Sequence, residues 1–200
     1  MKLIGRYDSP YVRRVGVSLH LLGLAFEHLP LSPFSQAADL RKYSPLGRMP
    51  VLALSEGEVI IDSFAILDYL DEIAGPERKL LPSHGATRRK ALQLVVNATG
   101  ATDKAIAMNY ERRRPLPQQS AEWLSRCRGQ LDAALRELET RRDPEWSSTA
   151  KLTQAEITIA TMFGYIRRVE PAAVVPGTYP LLERVARECE CRPEFLACPP

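Results

Sequence analysis

The chain has 200 residues, 45% of them hydrophobic and 26% charged, a balance that supports a folded core and excludes a disordered or collagen-like polymer. Its 27 basic and 24 acidic side chains leave a net charge of +3, too small to mark a nucleic-acid binder. The longest apolar stretch, Val15 to Phe26, contains Ser18 and His20 and falls short of the roughly 20 residues that span a bilayer. Met1-Lys2-Leu3-Ile4-Gly5-Arg6 lacks the apolar run of an export signal, so a cytoplasmic protein without membrane association is expected.

Strand and helix signals alternate in the first part of the chain. Leu3 to Tyr7 reads as a short strand. Ser9 then offers an N-cap hydroxyl and Pro10 a first-turn proline, and Val12, Val15, Leu19 and Leu22 recur at helical spacing until Gly23. Phe26 to Leu31 gives a second strand, after which Ser32-Pro33 opens an irregular or weakly helical stretch reaching Ser44-Pro45-Leu46-Gly47. The apolar runs Val51 to Leu54 and Val59 to Ile61, joined by Ser55-Glu56-Gly57-Glu58, predict an antiparallel hairpin. Asp62-Ser63 caps the next helix, whose Ile66, Leu67, Leu70 and Ile73 share a face and which Gly75-Pro76 ends.

Periodicity is then lost up to Gly85, which assigns residues 76–85 to a linker between a domain at 1–75 and one at 86–200. The second domain reads as helical throughout. Ala86 to Arg114 is stopped by Pro115-Leu116-Pro117. Gln118 to Arg141 lines one face with Leu124, Leu131, Leu135 and Leu138, and Asp143-Pro144 breaks it. Thr153-Gln154-Ala155-Glu156 is a capping box that opens an apolar helix from Ile157 to Val169. A last helix runs from Tyr179-Pro180-Leu181 to near Cys191-Arg192-Pro193.

Cys127, Cys189, Cys191 and Cys198 do not form a disulfide framework in a chain of this length, so free thiols are expected. With His20, His28 and His84 far from the cysteines in sequence, the spacing does not make a zinc set, and no metal is expected. The basic clusters Arg88-Arg89-Lys90, Arg112-Arg113-Arg114, Arg141-Arg142 and Arg167-Arg168 read as solvated helix faces.

Three segments in this order carry a family likeness: Ser9-Pro10-Tyr11-Val12-Arg13-Arg14-Val15, Ser44-Pro45-Leu46-Gly47-Arg48-Met49-Pro50-Val51-Leu52, and Asp62-Ser63 with Ile66 and Tyr69-Leu70. Together they resemble the glutathione S-transferase family, in particular its bacterial serine-type members. The capping box at Thr153 and Glu156 and the ending Arg192-Pro193-Glu194-Phe195 are similar to its second-domain landmarks. The resemblance implies an α/β N-terminal thioredoxin-like domain with a mixed four-stranded sheet, followed by an all-α C-terminal domain. It also implies a homodimer that uses glutathione as co-substrate and adds its thiolate to a soft electrophilic small molecule, as in detoxification.

The same resemblance assigns roles to residues. Ser9, at a helix start, is the expected hydroxyl donor to the thiolate, and Tyr7, where other branches of the family use a tyrosine, is the alternative. Met49 pairs through its backbone with the cysteinyl part of glutathione, next to a cis Met49-Pro50 peptide. Arg48 reaches the glycyl carboxylate, Ser63 takes the γ-glutamyl carboxylate and Asp62 pairs with the γ-glutamyl ammonium. Asp103 contributes from the partner subunit, and Tyr11, Tyr110 and Arg114 line the electrophile pocket. Two other readings stay open: a glutathione-dependent reductase, disfavoured because serine cannot form a mixed disulfide, and a non-catalytic binding or interaction protein on the same fold.

Overall fold

The structure is a computed structural model that describes residues 1–141 and 152–200; the expected break at Asp143-Pro144 and the residue Arg142 lie outside the described residues. The chain divides into two compact units, Met1–Ser83 together with Cys191–Pro200, and His84–Glu190.

In the first unit, β1 (Lys2–Ile4), β2 (Glu27–Leu29), β3 (Val51–Ala53) and β4 (Val59–Ile61) form one sheet in the order β2-β1-β3-β4. β1 and β2 are parallel, while β3 is antiparallel to both β1 and β4. A parallel pair needs a crossover, and α1 (Pro10–Leu21) supplies it. The stretch before β3 contains a short helix, α2 (Ala37–Arg41), whose Leu40 joins Ile4, Leu31 and Val51 in a buried cluster. The sheet is followed by α3 (Ser63–Ala74).

β1 ends at Ile4, short of the strand expected from Leu3 to Tyr7, because Gly5 turns the chain at φ 130°. A Cβ at Gly5 would lie 2.7 Å from Val12 Cγ2 and 2.9 Å from Met49 Cβ, so glycine is what lets the end of β1, the first turn of α1 and the Met49 loop close together.

Residues beyond α3, read from sequence as linker, are tied back to this unit. The Asp71 carboxylate accepts the N–H groups of Leu80 at 2.8 Å and Leu81 at 3.1 Å, and the Arg78 guanidinium donates to the Leu22 carbonyl at 3.0 Å. The last ten residues, read from sequence with the helical half, also pack here. Their short helix α8 (Pro193–Leu196) meets α1. Arg13 Nε donates to the Cys198 carbonyl at 2.7 Å, and the Arg13 guanidinium lies 5.5 Å from the centre of the Phe195 ring. Nine of the twelve residues of α1 are buried, because β1, α3 and α8 all pack against it.

The second unit is built from α4 (Gly85–Arg112), α5 (Ala121–Thr140), α6 (Gln154–Val169) and α7 (Pro180–Glu190). α6 is its buried element, with Ile157, Ile159, Ala160, Met162, Phe163 and Ile166 all inside. The capping box is formed: Thr153 Oγ1 accepts from the Ala155 N–H at 3.2 Å, and Glu156 accepts from the Thr153 N–H at 2.7 Å. Such a cap contributes about 1 kcal/mol. α7 is capped from outside, by the Glu139 carboxylate of α5, which accepts the N–H groups of Leu181 at 2.9 Å and Leu182 at 3.1 Å. The end of α4 is held by an ion pair between Arg112 and the buried Glu170.

Candidate active site

Strand register gathers the candidate residues of the first unit at one end of the sheet. Ile4 stands opposite Val51, and Val51 opposite Ile61. The chain leaving β1 toward Ser9, the Met49-Pro50 step into β3, and Asp62-Ser63 leaving β4 therefore share an edge. Neighbouring strands are about 4.8 Å apart, so the span from β1 to β4 is about 10 Å, which is also the extended length of a tripeptide.

Ser9 is the N-cap of α1. Its Oγ accepts the Val12 N–H at 3.5 Å and its carbonyl accepts the Arg13 N–H at 2.9 Å. Accepting through a lone pair leaves the hydroxyl hydrogen available to a second partner. The first turn of α1 contains no acidic side chain, so nothing in that turn offsets the partial positive charge of the helix start.

Tyr7 is differently engaged. Its ring stacks on His28, with centroids 4.0 Å apart and an interplanar angle of 18°, and His28 Nε2 lies 2.7 Å from the Gly5 carbonyl oxygen. Its hydroxyl is hydrogen-bonded to the Cys198 thiol in the C-terminal segment. Burial is the main cause that pushes the Cys198 thiol up to about 11, and burial first, then the thiol, raises Tyr7. Both groups are neutral when protonated, and both hold their protons more tightly folded than unfolded. The thiol's contribution to stability is therefore full below about pH 9, where the unfolded thiol starts to ionise, and is lost as pH rises toward 11, while that of the Tyr7 hydroxyl is lost only at higher pH. The urea midpoint is expected to fall over that interval, and the double variant Tyr7→Phe, Cys198→Ala to fall distinctly less. An equal decline in both proteins would separate this pair from the alkaline transition.

The Met49-Pro50 peptide is cis. Arg48 is exposed, and its backbone N–H reaches Ser44 Oγ at 3.4 Å. Asp62 caps α3, its Oδ1 accepting the Phe64 N–H at 2.9 Å, and it stands at φ 73°, in the left-handed region that non-glycine residues rarely occupy. Ser63, only 2% exposed, accepts a hydrogen bond at 2.7 Å from Arg14 Nη2 of α1. Arg14 is fully buried, its guanidinium 4.4 Å from the centre of the Phe64 ring and 5.7 Å from that of Tyr11. The first helix and the start of the third are thus joined through one arginine, which reading the sequence left unassigned.

The other predicted residues lie in the second unit. Asp103 is exposed on α4, and half-exposed Tyr110 has the Arg113 guanidinium 5.8 Å from its ring centre. Arg114 pairs with Glu111 at 3.2 Å, and Glu111 also accepts the Ser120 N–H at 2.8 Å, so this arginine belongs to the turn leading into α5. Among the described residues no group of three His, Cys, Asp or Glu side chains is placed to hold a metal ion, and no helix is long and apolar enough to cross a membrane.

Comparison with known proteins agrees with this architecture. The model of the glutathione S-transferase N-terminal domain matches residues 3–78, and that of the C-terminal domain matches residues 121–188. The uncharacterized GST-like protein YibF of Escherichia coli is 32% identical over 199 residues, covering 97% of this chain and 98% of its own. A glutathione S-transferase from Methylobacterium radiotolerans, solved with glutathione sulfonate, superposes with a TM-score of 0.91 at 30% identity over 100% of this chain and 94% of that one. A family member from Pseudomonas fluorescens with bound glutathione gives 0.88 at 33% identity, over 100% and 98%. With its thioredoxin-like sheet unit, its helical unit and these full-length relatives, the chain belongs to the glutathione S-transferase family.

Proposed function

We propose that the protein is a serine-type glutathione transferase. The observation that carries this reading is the shared edge at which the Ser9 cap of α1, the Met49-Pro50 step and the Ser63 start of α3 meet. A tripeptide laid across that edge has each of its three residues met in order. Ser63 takes the γ-glutamyl carboxylate through its hydroxyl and helix-start amide, and Asp62 takes the γ-glutamyl ammonium. The Met49 backbone pairs with the cysteinyl residue as an added strand does. Arg48, exposed at the rim, reaches the glycyl carboxylate.

The thiol then lies at the start of α1. The Ser9 hydroxyl donates to sulfur, and with the helix dipole it favours the thiolate, which is the nucleophile. The thiol proton passes to solvent, sulfur forms a bond to an electrophilic carbon, and the leaving group departs with its electron pair or, in an addition, the carbanion formed is protonated by water. Tyr7 takes no part, because its hydroxyl is engaged with Cys198. Serine at position 9 disfavours a reductase, since it cannot form the mixed disulfide. Recognition of the electrophile is assigned to residues of the helical unit, Tyr110 and Arg114. The working form is a homodimer in which the partner subunit's Asp103 reaches the bound tripeptide; the family likeness and the exposure of Asp103 on α4 support this.

Titration calorimetry with glutathione, together with light scattering and conjugation of 1-chloro-2,4-dinitrobenzene, tests the reading. A dimeric mass, one glutathione per chain and turnover are expected. A folded protein that binds no glutathione would refute it, and a monomer with full activity would remove the dimer and Asp103 from it.

A further inference from the structure

Arginine is seldom fully buried, because taking a guanidinium out of water is costly and it cannot shed its proton. Arg14 is nevertheless 0% exposed, and its Nη2 donates to Ser63 Oγ at 2.7 Å across 49 positions of sequence. Aromatic faces flank the cation, Phe64 at 4.4 Å and Tyr11 at 5.7 Å, each residue coming from the first turn of a helix whose start faces the site. A guanidinium only donates, so at Ser63 it occupies a lone pair of the oxygen. The serine hydrogen is left to point at an acceptor, and polarisation by the cation makes it a stronger donor.

We propose that Arg14 is a positioning residue for the carboxylate subsite at the start of α3: acting through Ser63, it makes the site select thiol peptides that carry an α-carboxylate on their first residue. The inference rests on the glutathione reading above and deepens it. Arg14 lies behind Ser63 and does not touch the ligand. It fixes the serine as a donor, and its permanent positive charge adds to the partial charge of the helix start, where the carboxylate docks. A simple staple between α1 and α3 would use the same hydrogen bond and stabilise the fold without discriminating among ligands.

The two roles separate when affinities are measured for glutathione and for γ-aminobutyryl-cysteinyl-glycine, which is glutathione without that carboxylate. The wild-type protein is expected to prefer glutathione by about 100-fold. Arg14→Gln should weaken glutathione binding about 10- to 30-fold and leave the decarboxylated peptide within about twofold. Arg14→Lys, which keeps the charge and is the variant best placed to fold, should retain an intermediate preference. In a Ser63→Ala background, the further loss on changing Arg14 should be much smaller than in the wild type. Equal losses for the two peptides in the Arg14 variants, or no loss in either, would overturn the proposal and leave the staple. A wild-type protein that binds neither peptide would overturn the glutathione reading and this inference together.

Discussion

Ser9→Ala is expected to leave glutathione bound but to raise the pKa of its thiol by about 1–2 units, the equivalent of one hydrogen bond to a charged acceptor at about 1.5–3 kcal/mol. A free thiol titrates near 8.5, so the bound thiol of the wild type should titrate near neutrality and that of the variant close to the free value. The sign fixes the pH dependence. The anion is the favoured form in the wild type, so its thiolate fraction is already high at pH 7. In the variant that fraction falls roughly tenfold at pH 7 and recovers as pH rises, and the two rates converge by about pH 9. Ultraviolet absorbance of the bound thiolate against pH reads the shift directly. Tyr7→Phe serves as the contrast: with its hydroxyl on Cys198 and its ring on His28, it should cost stability and leave the thiol titration in place. A shift in Tyr7→Phe with none in Ser9→Ala would transfer the donor role to the tyrosine.

Much of the architecture is written locally, in signals of a few residues. Ser9-Pro10, the Val51 to Ile61 hairpin, Asp62 before α3 and the Thr153 capping box each use short-range chemistry, and each forms where the sequence places it. Strand lengths are less legible: the strand expected from Leu3 to Tyr7 ends at Ile4, where Gly5 turns the chain out of the sheet, and Tyr7 packs outside the ladder by stacking on His28. The short helix α2 has no capping side chain, which is why that stretch read as irregular. Likewise, nothing near Cys191-Arg192-Pro193 reveals that the residues beyond it return to α1.

Arg14 was missed for a related reason. Val12, Val15 and Leu19 define a single apolar stripe on α1, and on a one-sided helix Arg13 and Arg14 belong to solvent. The helix is instead covered on several sides, by β1, α3 and α8, so both arginines are buried and each meets a distant partner. Arg13 reaches the Cys198 carbonyl and Arg14 reaches Ser63. Neither partner is visible from spacing, because both contacts depend on tertiary packing. A weak signal did exist: two adjacent arginines lie within an otherwise apolar and small-residue run from Val12 to Leu19.

That packing also sets the expected cost of Ser63→Ala, which should exceed that of an ordinary ligand contact. The variant removes the hydroxyl that donates to the γ-glutamyl carboxylate, a charge-assisted bond of about 1.5–3 kcal/mol, so the Kd for glutathione should rise roughly 10- to 100-fold. It also removes the acceptor that Arg14 Nη2 holds at 2.7 Å in the interior. Leaving a buried donor without its acceptor costs about 1–3 kcal/mol of folding free energy, and more when the donor is charged, so the thermal midpoint should fall along with affinity. Ser63→Cys keeps a side chain of similar shape with a weak donor and acceptor and should fall between alanine and serine on both scales. The joint change is the diagnostic, because a serine that only started a helix would lower the midpoint and leave the affinity of the folded fraction unchanged. Calorimetric titration and thermal melts on the same samples separate the two effects. Wild-type affinity in folded Ser63→Ala would take Ser63 out of the site and leave its bond to Arg14 as a contact of the fold alone.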